Sequence, residues 1–178
     1  MIGGNRHANL DKFVIGKEKD ISYGTQIFDA TTKAIKKHPA LRITLSRFNS
    51  AIGRALLDDR LIDLCISLES IFQSQTEISF QFALYNSILS ESDSNKRIGI
   101  FQTLKKLYNE RSKVVHGNKD LDHDWFNEKW PDLVQITKAS ILRKIDFLSS
   151  NDHGAWKEFL EKRALGMNDE NEKDPNGG

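Results

Sequence analysis

The sequence predicts an all-α fold, a helical bundle of about five or six helices, and three observations carry the prediction. Apolar residues recur at three- and four-residue spacings through most of the chain, strand-like alternation is nearly absent, and only 3 prolines interrupt 178 residues. With 38% hydrophobic and 29% charged residues this is the composition of one soluble globular unit. A chain of this length buries roughly two thirds of its unfolded surface, so it needs neither disulfides nor a structural metal.

Taken in order, residues 1–40 read as an N-terminal extension. Gly3, Gly4, Gly16 and Gly24 break it up, Phe13 to Ile15 suits a short strand, and Thr25 to Lys37 suits a helix. From Leu41 to about Leu165 the pattern is helical throughout. Leu41, Leu45, Phe48, Ile52 and Leu56 share one face, with Pro39 just ahead of them. Asp58 and Asp59 charge the start of the next helix, whose stripe of Leu61, Cys65, Leu68 and Phe72 is widened by Leu64 and Ile71 into an almost wholly apolar surface. Ile78, Phe82, Tyr85 and Leu89 mark a third helix, closed by the polar run Ser90 to Asn95. A fourth runs from about Lys96 to His116 and stops at Gly117-Asn118, residues that accept the left-handed conformation.

A fifth helix carries Val134, Ile141, Ile145 and Leu148, with Pro131 expected in its first turn or at a kink. Trp156, Phe159 and Leu160 share one side of a short terminal helix. Residues 166–178 are acidic and nearly free of apolar residues, a composition that predicts disorder. No repeat is visible.

Composition excludes several classes of function. The net charge of +1 gives no overall field for nucleic acid, although six basic residues against Glu110 alone fall between Lys96 and Lys113. No apolar run approaches the ~20 residues that span a bilayer, so no membrane partner is expected. Cys65, the sole cysteine, and an N-terminus without a signal-peptide pattern point to the reducing cytoplasm. There is no Gly-Lys-Ser or Gly-Lys-Thr phosphate loop. Asp120, Asp122 and Asp124 imitate the start of a calcium loop, but Trp125 and Pro131 stand where glycine and glutamate are needed. The five histidines show no metal-binding helical spacing and a lone cysteine supplies no thiolate cluster, so no metal and no cofactor are expected.

The informative segment is Phe101 to Gly117, FQTLKKLYNERSKVVHG. Its apolar rows, Phe101-Leu104-Tyr108-111-Val115 and Ile100-Leu104-Leu107-111-Val114, both place Arg111 where a core residue belongs. A guanidinium drawn into a packed interior needs a partner, and Glu69, on the inward row Ile62-Cys65-Glu69-Phe72, is the leading candidate for a bidentate contact. His116 lies in the last turn, at the negative end of the helix dipole, where a histidine either caps the helix or exchanges protons. Five residues separate it from Arg111, about 140° around a regular helix, so both reach one pocket only if the helix distorts or a second subunit completes the site.

Arg111-Ser-Lys-Val-Val-His116, followed by Gly117 on the fourth helix of an all-helical chain, resembles the R-x(4 to 6)-H signature of the HEPN superfamily. The wider pairing of Arg60-Leu-Ile-Asp-Leu-Cys-Ile-Ser-Leu-Glu69 with Leu107-Tyr-Asn-Glu-Arg-Ser-Lys-Val-Val-His-Gly117 resembles its ApeA-like branch, over roughly Leu41 to Leu148. The residue after the arginine is Ser112, where the superfamily's ribonucleases often have Asn, Asp or His, and Gln81 and Tyr85 occupy third-helix positions at which this branch carries basic residues.

The resemblance implies a bundle that dimerises so that two such motifs face one cleft, and a metal-independent endoribonuclease in a toxin–antitoxin or phage-defence setting, with an antitoxin or defence-system protein as a further partner. It implies catalytic roles for Arg111 and His116, supporting roles for Glu69 and Ser112, and RNA contacts by Lys105, Lys106 and Lys113. The alternative within the same resemblance is an inactive module that dimerises or binds a partner or nucleotide.

Overall fold

The computed structural model describes residues 18–72, 77–117, 120–152 and 154–167. Among the described residues there are seven helices and no strand: α1 (Glu18–Lys37), α2 (Leu41–Gly53), α3 (Leu57–Glu69), α4 (Ile78–Ser90), α5 (Ser94–His116), α6 (His123–Ser150) and α7 (Gly154–Ala164). The candidate strand Phe13 to Ile15 and the tail from residue 168 onward lie outside the described residues.

Short polar corners set the helix ends. The Asp93 carboxylate accepts the backbone N–H of Asn95 at the start of α5, and the Arg97 guanidinium donates to the carbonyls of Glu91 and Ser92, fixing the α4–α5 turn. Gly117, at φ +64°, ends α5 in the left-handed region, where a side chain would be strained. Asp122 then opens α6 by accepting the N–H of Trp125.

α3 is the central helix: Leu61, Leu64, Cys65 and Leu68 are all fully buried. It packs against α2 on one side and α5 on the other, while the long α6 runs along α1, α3 and α4. α7 closes one end, where the Trp156 indole N–H donates to the carbonyl of Ile71 at 2.7 Å and the Trp156, Phe159 and Phe147 rings pack together. α1 lies along α6 with Ala34 buried, so the bundle begins upstream of Leu41. No helix among the described residues is long and apolar enough to cross a membrane.

Three sequence expectations need correction. The stripe on α2 is buried at Leu41 and only half-buried at Leu45 and Phe48, whereas Ile52 is exposed and Leu56 lies exposed beyond the helix end. α2 covers one flank of α3, so spacing alone overstates how much of it is enclosed. Val115 is also exposed, whereas Val114 beside it packs against the core, so only one side of the last turn of α5 is covered. Pro131 does not fall in a first turn: it lies inside the continuous α6, exposed, and its missing N–H costs that helix one internal bond.

Candidate functional site

Arg111 leaves α5 toward α3. Its guanidinium Nη2 lies 4.0 Å from Glu69 Oε1, an ion-pair distance longer than a hydrogen bond, so the expected bidentate contact is not formed. The same guanidinium lies over the Tyr108 ring, 5.8 Å from its centre, and its Nε is buried without a hydrogen-bond partner. Behind the pair stands the buried Cys65, whose thiol is pushed up by burial and by the Glu69 charge. Burial pushes the Glu69 carboxyl above its usual range, with Arg111 pulling against that shift. Both side chains remain about one quarter exposed. The niche therefore presents a cation held from two sides with donors still uncommitted.

His116 occupies the final residue of α5 and is exposed. α5 is α-helical without interruption from Ser94 to His116, so the two side chains leave the axis about 140° apart, with about 7.5 Å of axial rise between them. Within one chain Arg111 and His116 do not face a common cleft.

The other candidates gather on the opposite, outward face of α5. Phe101, Lys105, Lys106, Asn109, Ser112 and Lys113 line an open groove of about 720 Å³, and His116 continues that face, three residues beyond Lys113 and four beyond Ser112. Each lysine there is also anchored. Lys105 Nζ donates to Ser79 Oγ at 3.3 Å. Lys106 pairs with Asp122 at 3.1 Å and stands over the Trp125 ring at 4.5 Å. Lys113 pairs with Glu110 at 2.6 Å. The structure thus joins Lys105, Lys106, Ser112, Lys113 and His116 on one face, and Arg111 with Glu69 on another.

Glu110 is the residue that charge counting misjudges. Its carboxylate is buried, holds Lys113 through Oε1 and accepts the backbone N–H of Asp122 through Oε2, tying α5 to the turn before α6. Burial pushes it up, but those bonds more than offset this and leave it below the usual carboxylate range. A signal existed: Glu110 falls between Leu107 and Val114 at spacings of three and four, the same pattern that singles out Arg111.

Asp63 is a second buried carboxylate, and its apolar row gives no sign of the arginines that hold it. Asp63 on α3 accepts from Arg47 Nη1 at 2.8 Å and Arg54 Nε at 3.0 Å, which fastens α2 to α3. On α6, Lys144 is buried with its ammonium donating to the carbonyl of Ser70 at 2.9 Å. No three His, Cys, Asp or Glu side chains among the described residues converge as a metal-binding set.

Comparison of the chain with family models, curated proteins and solved structures found no match.

Proposed function

We propose that this chain is a metal-independent endoribonuclease of the HEPN type whose working site is assembled from two copies, Arg111 coming from one and His116 from the other. One observation carries the reading: the Arg111 guanidinium lies between Glu69 and the Tyr108 ring without a hydrogen bond to the carboxylate, while its side chain stays about one quarter exposed, as a group that is to receive a phosphoryl oxygen must be. The angular separation of Arg111 and His116 on an unbroken helix makes a second copy a requirement of the chemistry.

RNA brings its own nucleophile. In the proposed step the ribose 2′-oxygen attacks the adjacent phosphorus, the P–O5′ bond breaks, and a 2′,3′-cyclic phosphate and a free 5′-hydroxyl result. His116 takes the 2′ proton and returns one to the departing 5′-oxygen. Arg111 donates hydrogen bonds to the non-bridging oxygens as negative charge grows on them. Glu69 supplies a counter-charge beside the arginine, and Ser112 and Lys113, on the face shared with His116, contact the neighbouring backbone. A toxin or phage-defence role, with a controlling partner protein, is the setting that goes with this activity.

The second reading is an inactive module of the same type, favoured by the internal anchoring of Lys105, Lys106 and Lys113. Purified protein incubated with mixed RNA in EDTA separates the two. The ribonuclease yields fragments ending in 2′,3′-cyclic phosphate, and Arg111→Ala and His116→Ala each abolish them; a module leaves the RNA intact.

A further inference from the structure

The groove on α5 continues at its N-terminal end into a pair of aromatic rings. Phe80, on α4, meets Phe101 edge-on, with ring centres 5.8 Å apart and an interplanar angle of 72°. Phe101 is half-buried and lines the groove, whereas Phe80 keeps 47% of its surface exposed. Single exposed apolar residues are ordinary on protein surfaces. This one differs because a row of lysines begins beside it: Ser79, next to it in the chain, holds the Lys105 ammonium, and Lys106 and Lys113 follow along the groove.

The anchors do not consume these cations. An ammonium has three donors, and each of the three has one short polar contact. Among the groove-lining residues three lysines face one acid, Glu110, which is buried and already bound to Lys113 and the Asp122 N–H. The Lys106–Asp122 pair is exposed on both sides, and exchange for another anion there costs little. From Phe101 to His116 the face extends about 22 Å along the axis, the length of a short run of nucleotides rather than of one ion.

We infer that Phe80 is a base-stacking, specificity-determining residue that selects unpaired RNA, with Lys105, Lys106 and Lys113 guiding the strand's phosphates along α5 toward His116. A duplex keeps its bases stacked on each other and has no ring face to give to Phe80, whereas an unpaired base does. Every base has such a face, so the selection is for strandedness and not for sequence. This inference rests on the ribonuclease reading for the identity of the polymer, but its test does not depend on cleavage.

The full-length chain is titrated against a fluorescent 12-nucleotide 2′-O-methyl oligoadenylate, which lacks the nucleophile and stays intact, and against the same strand in a duplex, with anisotropy as the readout. The single strand is expected to bind at least tenfold more tightly than the duplex. Phe80→Ala should lose about tenfold for the single strand and leave the duplex unchanged, and Phe80→Trp should restore binding. Equal affinity of wild type and Phe80→Ala for the single strand, or equal affinity of the wild type for strand and duplex, overturns the inference even if the protein cleaves RNA. Phe80-dependent strand binding by a protein that cleaves nothing upholds it while the ribonuclease reading falls.

Discussion

Arg111 and Glu69 face each other across the α3–α5 seam at 4.0 Å, close enough to neutralise one another and too far to saturate one another. Removing either partner leaves the other partly buried with no counter-charge. Glu69→Ala is expected to cost about 1–2 kcal/mol, below the penalty for a fully buried pair because about a quarter of each side chain meets water. Glu69→Gln should cost less, since it keeps the volume and an acceptor oxygen. Urea denaturation of Glu69→Ala, Arg111→Ala and the double variant, read as a double-mutant cycle, measures the coupling. A coupling energy of zero would show that the proximity has no energetic content.

Asp63 is expected to contribute more stability than any exposed ion pair in the bundle, because one buried carboxylate holds two arginines and thereby joins α2 to α3. Asp63→Asn should cost about 2–4 kcal/mol, more than Arg47→Ala or Arg54→Ala alone. Burial raises its proton affinity, but the two arginines outweigh that and hold the folded carboxyl below its ordinary 3.8. Its contribution is therefore complete above pH ~3.8 and is lost as pH falls through the lower folded value. The acid limb of a stability–pH curve should be shallower below about pH 4 in Asp63→Asn than in the wild type; parallel limbs contradict the assignment.

The helices themselves were legible because their cores obey the 3.6-residue period: Leu61, Leu64, Cys65 and Leu68 read as buried and are buried. Spacing does not say which part of an apolar stripe a neighbouring helix covers, and Val115 and Ile52, both on such stripes, are exposed. At the candidate site, the inward position of Arg111 and its orientation toward Glu69 were readable from apolar rows. The separation of Arg111 from the lysine face is not visible in a count of charges along the chain, because it arises from positions around the helix. Glu110 has an inward spacing between Leu107 and Val114, but the partners that hold Glu110 and Asp63, Lys113 for the one and Arg47 and Arg54 for the other, follow from the folded geometry and not from the sequence.

Lys144 should destabilise the fold at neutral pH. Burial lowers its proton affinity from the ordinary 10.5 to about 8, and no carboxylate neighbours its ammonium among the contacts described. Below pH 8 the lysine is protonated in both states and the folded protein bears the full cost of burying the charge, on the order of 3 kcal/mol. Between pH 8 and 10.5 the unfolded chain binds more protons than the folded one, so this cost fades as pH rises. Cys65, pushed up by burial, acts in the opposite direction over the alkaline range, so the difference between variants isolates the lysine. Lys144→Met is expected to be more stable than the wild type at pH 7, with the advantage shrinking toward pH 10.5. A destabilised Lys144→Met at pH 7 would mean that the bond to the Ser70 carbonyl outweighs the desolvation.

The central claim is that one functional centre takes Arg111 from one copy and His116 from another, and mixing two inactive variants tests it most directly. Arg111→Ala and His116→Ala proteins, each without cleavage activity alone, are unfolded together, refolded at equal concentration and assayed on RNA in EDTA. Half of the random dimers contain one of each variant, and each such dimer has one intact composite centre out of two, so about a quarter of wild-type activity should return. No recovery from a mixture shown to form the mixed dimer, with an active wild type alongside, would contradict a centre shared between copies.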